Sequence, residues 1–214
     1  MDSQSLSDAL VYVIDDDESI RTSLVTLLRS VGIPARAFES ADGFLESEMP
    51  DVPSCLILDI RLRGASGLTL QQDAFKGSVH VPIIFLTAHG DVGMSVKAMK
   101  AGAFDFLTKP FNDQDLLDTI AAALKSDALF RYQKRLVAGV RYAYESLTSR
   151  EREVICLVAE GLMNKQIAER LCLSEVTVKI YRSQAMHKLS AHSVPDVVRK
   201  LQQVGVSEGG AAHS

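Results

Sequence analysis

The stretch LVYVIDDD, residues 10–17, decides the fold of the first half of the chain, because five apolar residues run directly into three aspartates. Three further apolar runs stop just as abruptly at a polar residue: CLIL (55–58) at Asp59, PIIFL (82–86) at Thr87 and FDFLT (104–108) at Lys109. Short apolar runs of this kind are typical of strands that are buried on both faces of a parallel sheet. Because ligands bind beyond the carboxyl ends of such strands, we expect the four polar endings at one edge of the sheet.

Stretches with helical periodicity separate these runs. Apolar residues recur every three or four positions between Ile20 and Val31, and Gly32 ends this first predicted helix. A second strand is predicted at residues 34–38. Four further helices are predicted around Phe44 and Leu45; Leu68, Leu70 and Phe75; Val92, Val96 and Met99; and Leu116, Leu117, Ile120 and Leu124. Five strands alternating with five helices predict an α/β domain with a flavodoxin-like, doubly wound, five-stranded parallel sheet.

The acidic strand ends suit a metal ion and a phosphoryl group. Asp15 and Asp16 are adjacent carboxylates whose mutual repulsion favours a cation, and carboxylate oxygens select a hard ion such as Mg2+. Asp59 stands alone at the end of its strand and is the best candidate nucleophile for an aspartyl phosphate. It is also a candidate metal ligand, and the backbone carbonyl of Arg61 could complete the metal shell.

Two further strand ends can hold the transferred phosphoryl group, because the Thr87 hydroxyl and the Lys109 ammonium can bond its oxygens. The bond from Lys109 to Pro110 is a candidate cis peptide. For a single residue of this kind, a helix cap or a solvated charge is the ordinary interpretation, and we assign Asp17 and Glu18 in that way as first-turn acids. Four strand ends with complementary chemistry are much harder to explain by capping.

Residues 8 to about 125 resemble the receiver domain of two-component response regulators through VIDDDES, LILDIRL, LTAHGD and AGAFDFLTKPF. The resemblance implies that a sensor histidine kinase phosphorylates Asp59 beside an acidic pocket of Asp15 and Asp16 that binds Mg2+. It implies no enzyme activity beyond Mg2+-dependent phosphorylation and dephosphorylation of this aspartate. The residues that sense the phosphate are then Thr87, Phe106 and Lys109. His89 either tunes the lifetime of the phosphoryl group or packs in a loop.

The segment between the two halves has the periodicity of a helix. Its apolar residues recur every three or four positions, at Leu129, Tyr132, Leu136, Val140, Ala143 and Leu147. No proline occurs between Pro110 and Pro195, so we expect a helical linker over residues 126–146 that continues the fifth predicted helix. The stripe either packs on the protein's own domains or forms a dimer contact, and it is too short to establish a coiled coil.

The second half has the pattern of a small all-α domain of four helices. Its first helix begins at Thr148 or Ser149 and ends at Gly161. A short helix, a three-residue turn, a long helix over residues 175–189 and a last helix from Ser193 follow. The residues expected in the core of the first two helices are Val154, Ile155, Leu157, Val158, Ile167, Ala168 and Leu171. Two helices joined by a short turn are typical of a helix-turn-helix.

The long helix sorts its residues into two faces. The expected core stripe is Val178, Tyr181, Ala185 and Leu189, which leaves Lys179, Ile180, Ser183 and His187 facing outward. An exposed cation beside an exposed isoleucine suits the major groove of DNA, whereas other cations suit phosphates. The candidate DNA-binding residues are Thr177, Lys179, Ile180 and Ser183, with Lys165, Arg182 and Lys188 at phosphates. The alternative is a solvated charged face.

Residues 147–204 resemble the LuxR-type helix-turn-helix through LTSREREVICLVAEG, NKQIAERL and LSEVTVKIYRSQAMHKL. Together the two halves resemble response regulators of the NarL/FixJ class, on its FixJ-like branch. The resemblance implies a receiver at residues 1–125, a DNA-binding domain at 147–206 and a flexible tail at 207–214. It also implies that the phosphorylated protein forms a homodimer, binds promoter DNA, contacts RNA polymerase and regulates transcription.

Composition and charge indicate which partners the protein is expected to have and in which compartment it is expected. Residues 1–127 carry 10 Lys and Arg against 19 Asp and Glu, whereas residues 128–214 carry 13 against 8, which suggests different partners for the two halves. No apolar stretch reaches the roughly 18 residues that span a membrane, so we expect a cytoplasmic protein without a membrane partner. The three cysteines lie in or beside apolar runs and are expected as small core residues.

Three rival functions stay open on the sequence. An aspartyl-phosphate enzyme of the haloacid-dehalogenase type uses similar groups, but it needs DxDx[TV] on its first strand, where this chain has Asp15-Asp16-Asp17-Glu18. A ligand-sensing LuxR-type regulator usually needs several aromatic residues in its first half, and this chain has no tryptophan. An adaptor that binds only proteins would lack sequence-specific DNA binding.

Overall fold

The computed structural model describes residues 9–62, 65–66, 81–88 and 92–206. The chain divides into two compact units, Met1–Arg131 and Tyr132–Ser214, and each unit has its own hydrophobic core. The division falls within the segment that the sequence predicts as a linker. Among the residues described, no helix is both long enough and apolar enough to cross a membrane.

The first unit alternates strands and helices around a five-stranded sheet. Its elements are β1 (Leu10–Ile14), α1 (Glu18–Ser30), β2 (Ala35–Phe38), α2 (Ala41–Leu45), β3 (Ser54–Asp59), β4 (Arg61–Leu62), β5 (Ala65–Ser66), β6 (Ile83–Ala88), α3 (Val92–Lys100), β7 (Asp105–Lys109) and the first part of α4 (Asp113–Glu145), a helix that continues into the second unit. The sheet order is β2-β1-β3-β6-β7, and each neighbouring pair is parallel. The predicted fold class is confirmed. The helix predicted around Leu68, Leu70 and Phe75 lies outside the described residues.

Both faces of the sheet are covered, which explains why its strands are continuous apolar runs. On one face, alternate residues of the central strands pack against Leu24 and Leu28 of α1 and against Leu116 and Ile120 of α4. On the other face, the remaining strand residues pack with Phe44 of α2 and with the α3 helix. A sheet buried on both sides leaves only its edges for polar chemistry.

The register of the strands brings their polar ends to one edge. Asp59 at the end of β3 pairs with Leu86 of β6, immediately before Thr87. Lys109 at the end of β7 pairs with Ala88 of β6. The predicted meeting of the strand ends is therefore observed for β3, β6 and β7.

Capping residues set where α1 begins and ends. Asp17 is predicted as a first-turn acid, but it is the N-cap, since its backbone is extended and its carboxylate accepts a 2.8 Å hydrogen bond from the Ser19 N–H. Glu18 does lie in the first turn, where it favours the helix dipole. Gly32 follows with φ 75°, a conformation that suits glycine after a helix.

A buried carboxylate, Asp127, ties α4 to the amino edge of the sheet. Its Oδ2 accepts a hydrogen bond of 2.8 Å from the Ser54 backbone N–H at the start of β3. The same oxygen lies 2.6 Å from Nε of Arg131, whose Nη1 is 2.7 Å from Asp51 Oδ1. Asp127 is fully buried, and its bond to Ser54 fastens α4 to the sheet near the end of the first unit.

The α4 helix continues without a break for 33 residues, from Asp113 to Glu145. It therefore covers most of the predicted linker, and Gly139 lies within it. The first three residues of the apolar stripe, Leu129, Tyr132 and Leu136, are each at least half exposed. Leu147, the last member of the stripe, is buried in the core of the second unit.

The second unit is helical and contains α5 (Ser149–Ala159), α6 (Asn164–Leu171), α7 (Glu175–Lys188) and α8 (Val194–Gln203). Thr148 caps α5 in a capping box with Glu151, and Ser174 caps α7 through the Thr177 N–H. The turn between α6 and α7 contains Cys172 in the left-handed region, with φ 54°. A three-residue turn between two helices confirms the helix-turn-helix.

The three cysteines differ in how deeply they are buried. Cys55 is buried on β3, as expected for a core residue, and its burial and the nearby Asp127 charge raise the pKa of its thiol. Cys156 is half-buried. Cys172 is exposed, so the expectation of a core position is wrong there, because the residue serves as the C-cap of α6.

Candidate phosphorylation site and DNA-binding surface

Three of the predicted site residues meet at the carboxyl edge of the sheet. The Lys109 ammonium lies 2.9 Å from Asp15 Oδ2 and 2.7 Å from Asp59 Oδ2. The Asp15 side chain is almost completely buried, whereas those of Asp59 and Lys109 are 13% and 16% exposed. The cluster is thus sheltered by the fold but partly open at Asp59 and Lys109.

Local bonds fix the buried member of the cluster. Asp15 Oδ1 accepts a hydrogen bond of 2.9 Å from the Asp17 N–H, which leaves Oδ2 for Lys109. Arg21 donates to the Asp15 backbone carbonyl at 2.7 Å. The start of α1 therefore holds the end of β1 in place.

Lys109 carries its charge in this site. Burial works against the ammonium, but hydrogen bonds to Asp15 and Asp59 outweigh burial and raise the pKa of Lys109 above its usual 10.5. The bond that follows, Lys109-Pro110, is cis, as the sequence suggests. A permanent cation between two carboxylates can move to a phosphoryl oxygen without any change of protonation.

The cluster can hold a metal ion. Asp15, Asp16 and Asp59 each offer a carboxylate oxygen, and these oxygens all lie within 4.8 Å of one another. Such hard, anionic ligands fit a divalent cation. Arg61, the source of the predicted carbonyl ligand, begins β4 two residues after Asp59.

Thr87 and Phe106, the other residues predicted to sense the phosphate, lie on β6 and β7. Thr87 is buried near the end of β6, and Thr108 of β7 is its register partner. Phe106 is half-buried on β7 and packs against the core that includes Ala98 of α3. His89 lies outside the described residues.

The predicted DNA-reading face of α7 is exposed on the second unit. Val178, Ala185 and Leu189 are buried and Tyr181 is half-buried, as the helical stripe predicts. On the opposite side Lys179 and Ser183 are exposed, and Ile180 is 51% exposed. A large apolar residue in the middle of a charged face is unusual for a purely solvated surface.

The cations around this face differ in their surroundings. Lys165 is exposed at the start of α6, and Arg182 donates a hydrogen bond of 3.0 Å to Asn164 Oδ1. The sequence predicts Lys188 at a DNA phosphate, but its ammonium lies 2.7 Å from Oε2 of the buried Glu151. A phosphate contact by Lys188 would have to compete with that ion pair.

The sequence does not predict the ion pair between Glu151 and Lys188. Burial works against its charge, but hydrogen bonds from Lys188 and Thr148 outweigh burial and hold the pKa of Glu151 below its ordinary 4.5. The S/T-x-x-E capping pattern signals only the bond to Thr148. Lys188 is 37 residues further along the chain, beyond the reach of any local pattern.

Comparison with known proteins agrees with this architecture. Residues 11–121 match the response regulator receiver domain family, and residues 145–201 match the luxR family of bacterial regulatory proteins. Nodulation protein W of Bradyrhizobium diazoefficiens is 51% identical over 199 residues, which are 93% of this chain and 88% of that protein. The transcriptional regulatory protein FixJ of Azorhizobium caulinodans is 39% identical over 197 residues, covering 92% of this chain and 93% of that protein.

A solved structure supports the same assignment over both halves. The response regulator StyR aligns with a TM-score of 0.83 and 44% identity, covering 92% of this chain and 99% of that one. The two families that match this chain are those of a DNA-binding regulator rather than of an ordinary enzyme. The chain therefore belongs to the response regulators of the NarL/FixJ class, in which a receiver domain is joined to a LuxR-type DNA-binding domain that regulates transcription.

Proposed function

We propose that a cognate sensor histidine kinase phosphorylates Asp59 and that this modification controls the affinity of the second unit for promoter DNA. The observation that carries the proposal is the position of the Asp59 carboxylate, partly exposed at the carboxyl edge and bonded to Lys109 at 2.7 Å. In the transfer, an Asp59 oxygen attacks phosphorus and the bond from phosphorus to the donor's histidine nitrogen breaks. The imidazole leaves with the electron pair.

Mg2+ is the cation that we propose for the acidic cluster. Asp15, Asp16 and Asp59 would hold it, with the Arg61 carbonyl as a further ligand. When bound, Mg2+ neutralises the charge of the phosphoryl oxygens. The chemistry that we propose for these residues is phosphorylation and dephosphorylation of Asp59 alone.

Phosphorylation would be sensed by the groups that surround Asp59. The modification adds about −2 charge, so Lys109 has a new anionic partner and the Thr87 hydroxyl can donate to a phosphoryl oxygen. A shift of Thr87 draws in Phe106, which packs against the same core as Ala98 of α3. Phosphate at the sheet edge can thus alter the face formed by α3 and β7.

That face or the linker part of α4 would form the homodimer. On α3, Val96 and Met99 are 46% and 42% exposed, which provides apolar surface on that helix. On α4, Leu129, Tyr132 and Leu136 provide a second candidate surface. Dimerisation would raise the affinity for paired half-sites by making the second contact intramolecular.

The second unit would read promoter DNA through α7. Lys179 and Ile180 are exposed side by side, and they suit guanine acceptors and a thymine methyl in the major groove. Thr177 and Ser183 would add hydrogen bonds, and Lys165, Arg182 and Lys188 would contact phosphates. A regulator of promoters acts where the DNA is, so we expect it in the cytoplasm, with RNA polymerase as a further partner.

DNase footprinting on the DNA next to the protein's own gene tests this function. The full-length protein is used untreated and after treatment with acetyl phosphate and Mg2+. We expect protection of paired half-sites at lower protein concentration after treatment. If neither form protects any sequence while the protein still accepts phosphate, the function is that of a protein-only adaptor and the proposal fails.

A further inference from the structure

The side chain of Arg21 reaches back from α1 to the end of β1. Its Nη1 donates a hydrogen bond of 2.7 Å to the backbone carbonyl of Asp15, six residues earlier in the chain. A hydrogen bond from a guanidinium is charge-assisted, and such bonds are short and roughly twice as strong as those between neutral groups. The backbone N–H of Arg21 donates to the carbonyl of Asp17, the N-cap of the helix. Arg21 therefore joins the first turn of α1 directly to the strand.

Further hydrogen bonds hold the loop between β1 and α1. The Asp17 N–H donates to Asp15 Oδ1 at 2.9 Å, and the Asp17 carboxylate accepts from the Ser19 N–H at 2.8 Å. The Asp15 N–H donates to the carbonyl of Phe38 on β2 at 3.4 Å. Asp16 therefore lies between two residues that are bonded to neighbouring elements.

The carbonyl that Arg21 binds belongs to the peptide unit that links two of the proposed metal ligands, Asp15 and Asp16. Because a peptide unit is planar, fixing its oxygen fixes the directions in which the chain leaves it on both sides. The carboxylate oxygens of Asp15, Asp16 and Asp59 lie within 4.8 Å of one another. A rotation of this one peptide would move two of these carboxylates relative to the third.

Mg2+ is sensitive to such a change. It requires near-ideal octahedral geometry, with oxygens at about 2.0–2.1 Å, so displaced ligands bind it more weakly. Arg21 cannot itself coordinate a cation, since a guanidinium offers only N–H donors. Its charge alone would weaken Mg2+ binding, because like charges repel. The charge and the hydrogen bond of Arg21 thus have opposite expected effects on Mg2+ affinity, and variants can separate them.

We propose that Arg21 positions the carboxylates of Asp15 and Asp16 for Mg2+ binding through its bond to the Asp15 carbonyl. The inference rests on the proposed Mg2+ site and adds a residue that supports the site without touching the ion. Loss of a residue that orients metal ligands typically weakens metal binding by about 10- to 100-fold. We expect the lower end of this range, because Arg21 acts through the backbone.

The test measures the Mg2+ affinity of the full-length protein without a phosphoryl donor. The rise of the unfolding temperature with Mg2+ concentration gives the Kd. Arg21→Met should bind Mg2+ about tenfold more weakly than the wild type. Arg21→Lys keeps the charge but lacks the planar fork of donors, so its Kd should be intermediate. Arg29→Met is the matched control, because it removes the same charge from the exposed last turn of the same helix, and it should keep the wild-type Kd.

Phosphorylation by acetyl phosphate gives a second measurement. The Mg2+ concentration that gives half the maximal rate should rise in Arg21→Met as the Kd does, whereas the rate at saturating Mg2+ should stay close to that of the wild type. A lower rate at saturating Mg2+, with an unchanged half-saturating concentration, would mean that Arg21 acts in the transfer itself. That result would overturn the proposal.

A purely structural role also gives a distinct result. The unfolding temperature of Arg21→Met would then be lower by the same amount at every Mg2+ concentration, with an unchanged Kd, and the proposal would be wrong. Tighter Mg2+ binding by Arg21→Met would also overturn it, because repulsion would then outweigh positioning. If Arg21→Met does not fold, Arg21→Lys decides, and a wild-type Kd in that variant overturns the proposal.

The wild type separates this inference from the proposed function. If Mg2+ does not stabilise the wild type, the proposed metal site fails and this inference fails with it. If Mg2+ stabilises the wild type and the Arg21 variants with the same Kd, only the positioning role of Arg21 fails.

Discussion

Two carboxylate networks lie at opposite edges of the same parallel sheet, and they differ in what surrounds them. At the carboxyl edge Asp15 and Asp59 share the Lys109 ammonium at 2.9 and 2.7 Å. At the amino edge Asp127 binds Arg131 at 2.6 Å and the Ser54 N–H at 2.8 Å. The bond lengths are nearly the same, so they cannot explain why only one of the two networks is a functional site.

The difference lies in the exposure of the carboxylates and in the presence of a third acid, Asp16, at the carboxyl edge. Asp127 is fully buried and receives both a guanidinium and a backbone N–H, so nothing new can reach it. Asp59 is 13% exposed and shares one cation with a second acid, while Asp16 adds a third carboxylate nearby. An accessible network with three carboxylates can exchange partners, whereas a sealed one can only hold the fold together.

The largest expected effect is the loss of phosphorylation when the carboxyl-edge network is changed at Asp59. Asp59→Asn keeps the shape of the side chain but removes the nucleophilic carboxylate, so the protein should take up no phosphoryl group from acetyl phosphate and Mg2+. Intact-mass spectrometry measures the uptake. Asp17→Asn is the matched control, because Asp17 is an exposed N-cap on the same loop, and this variant should be phosphorylated like the wild type.

The amino-edge network of Asp127 and Arg131 should contribute to the free energy of unfolding instead. Asp127→Asn should lower the free energy of unfolding by about 3 kcal/mol, near the low end for breaking a buried ion pair, because Arg131 is 19% exposed and keeps Asp51. Chemical denaturation measures it. Asp51→Asn, at a side chain 74% exposed, should cost less than about 1 kcal/mol. Equal costs for the two variants would show that burial does not distinguish the pairs.

Mg2+ binding should distinguish the carboxyl-edge network from the amino-edge network, because only the carboxyl edge is a proposed metal site. At ten times its Kd, an ion that binds only the folded protein adds about 1.4 kcal/mol to the free energy of unfolding. Wild type and Asp51→Asn should gain this stabilisation, which thermal unfolding detects, and Asp16→Asn should lose most of it. A full Mg2+ response in Asp16→Asn would remove that residue from the metal site.

The second unit also has a buried carboxylate in an ion pair, Glu151 with Lys188, and its expected effect on the free energy of unfolding is smaller. Its pKa is lowered in the folded protein, so its contribution to stability is present above about pH 4.5 and is lost as the pH falls through the lowered value. Glu151→Gln should destabilise by the order of 1 kcal/mol at neutral pH, because Lys188 is 36% exposed and partly screened. The gap between variant and wild type should close in acid, and a constant gap would contradict the assignment.

The same contrast explains what the sequence could reveal. The carboxyl edge was predictable because each strand ends locally at a polar residue, and parallel strands bring such ends together. The amino edge was not, since Ser54 and Asp127 are 73 residues apart and Asp127 looks like any other polar residue of a helix. The pairing of Lys188 with Glu151 was missed for the same reason, because it depends on how helices pack.

The central claim is that the phosphoryl site at the carboxyl edge controls DNA binding by the second unit, and a gel-shift titration with the footprinted promoter fragment tests it most directly. Three samples are compared: untreated protein, protein treated with acetyl phosphate and Mg2+, and the Asp59→Asn variant treated in the same way. We predict that the treated wild type binds the fragment most tightly and that the treated variant binds like the untreated protein. Equal affinity in all three samples would contradict the account.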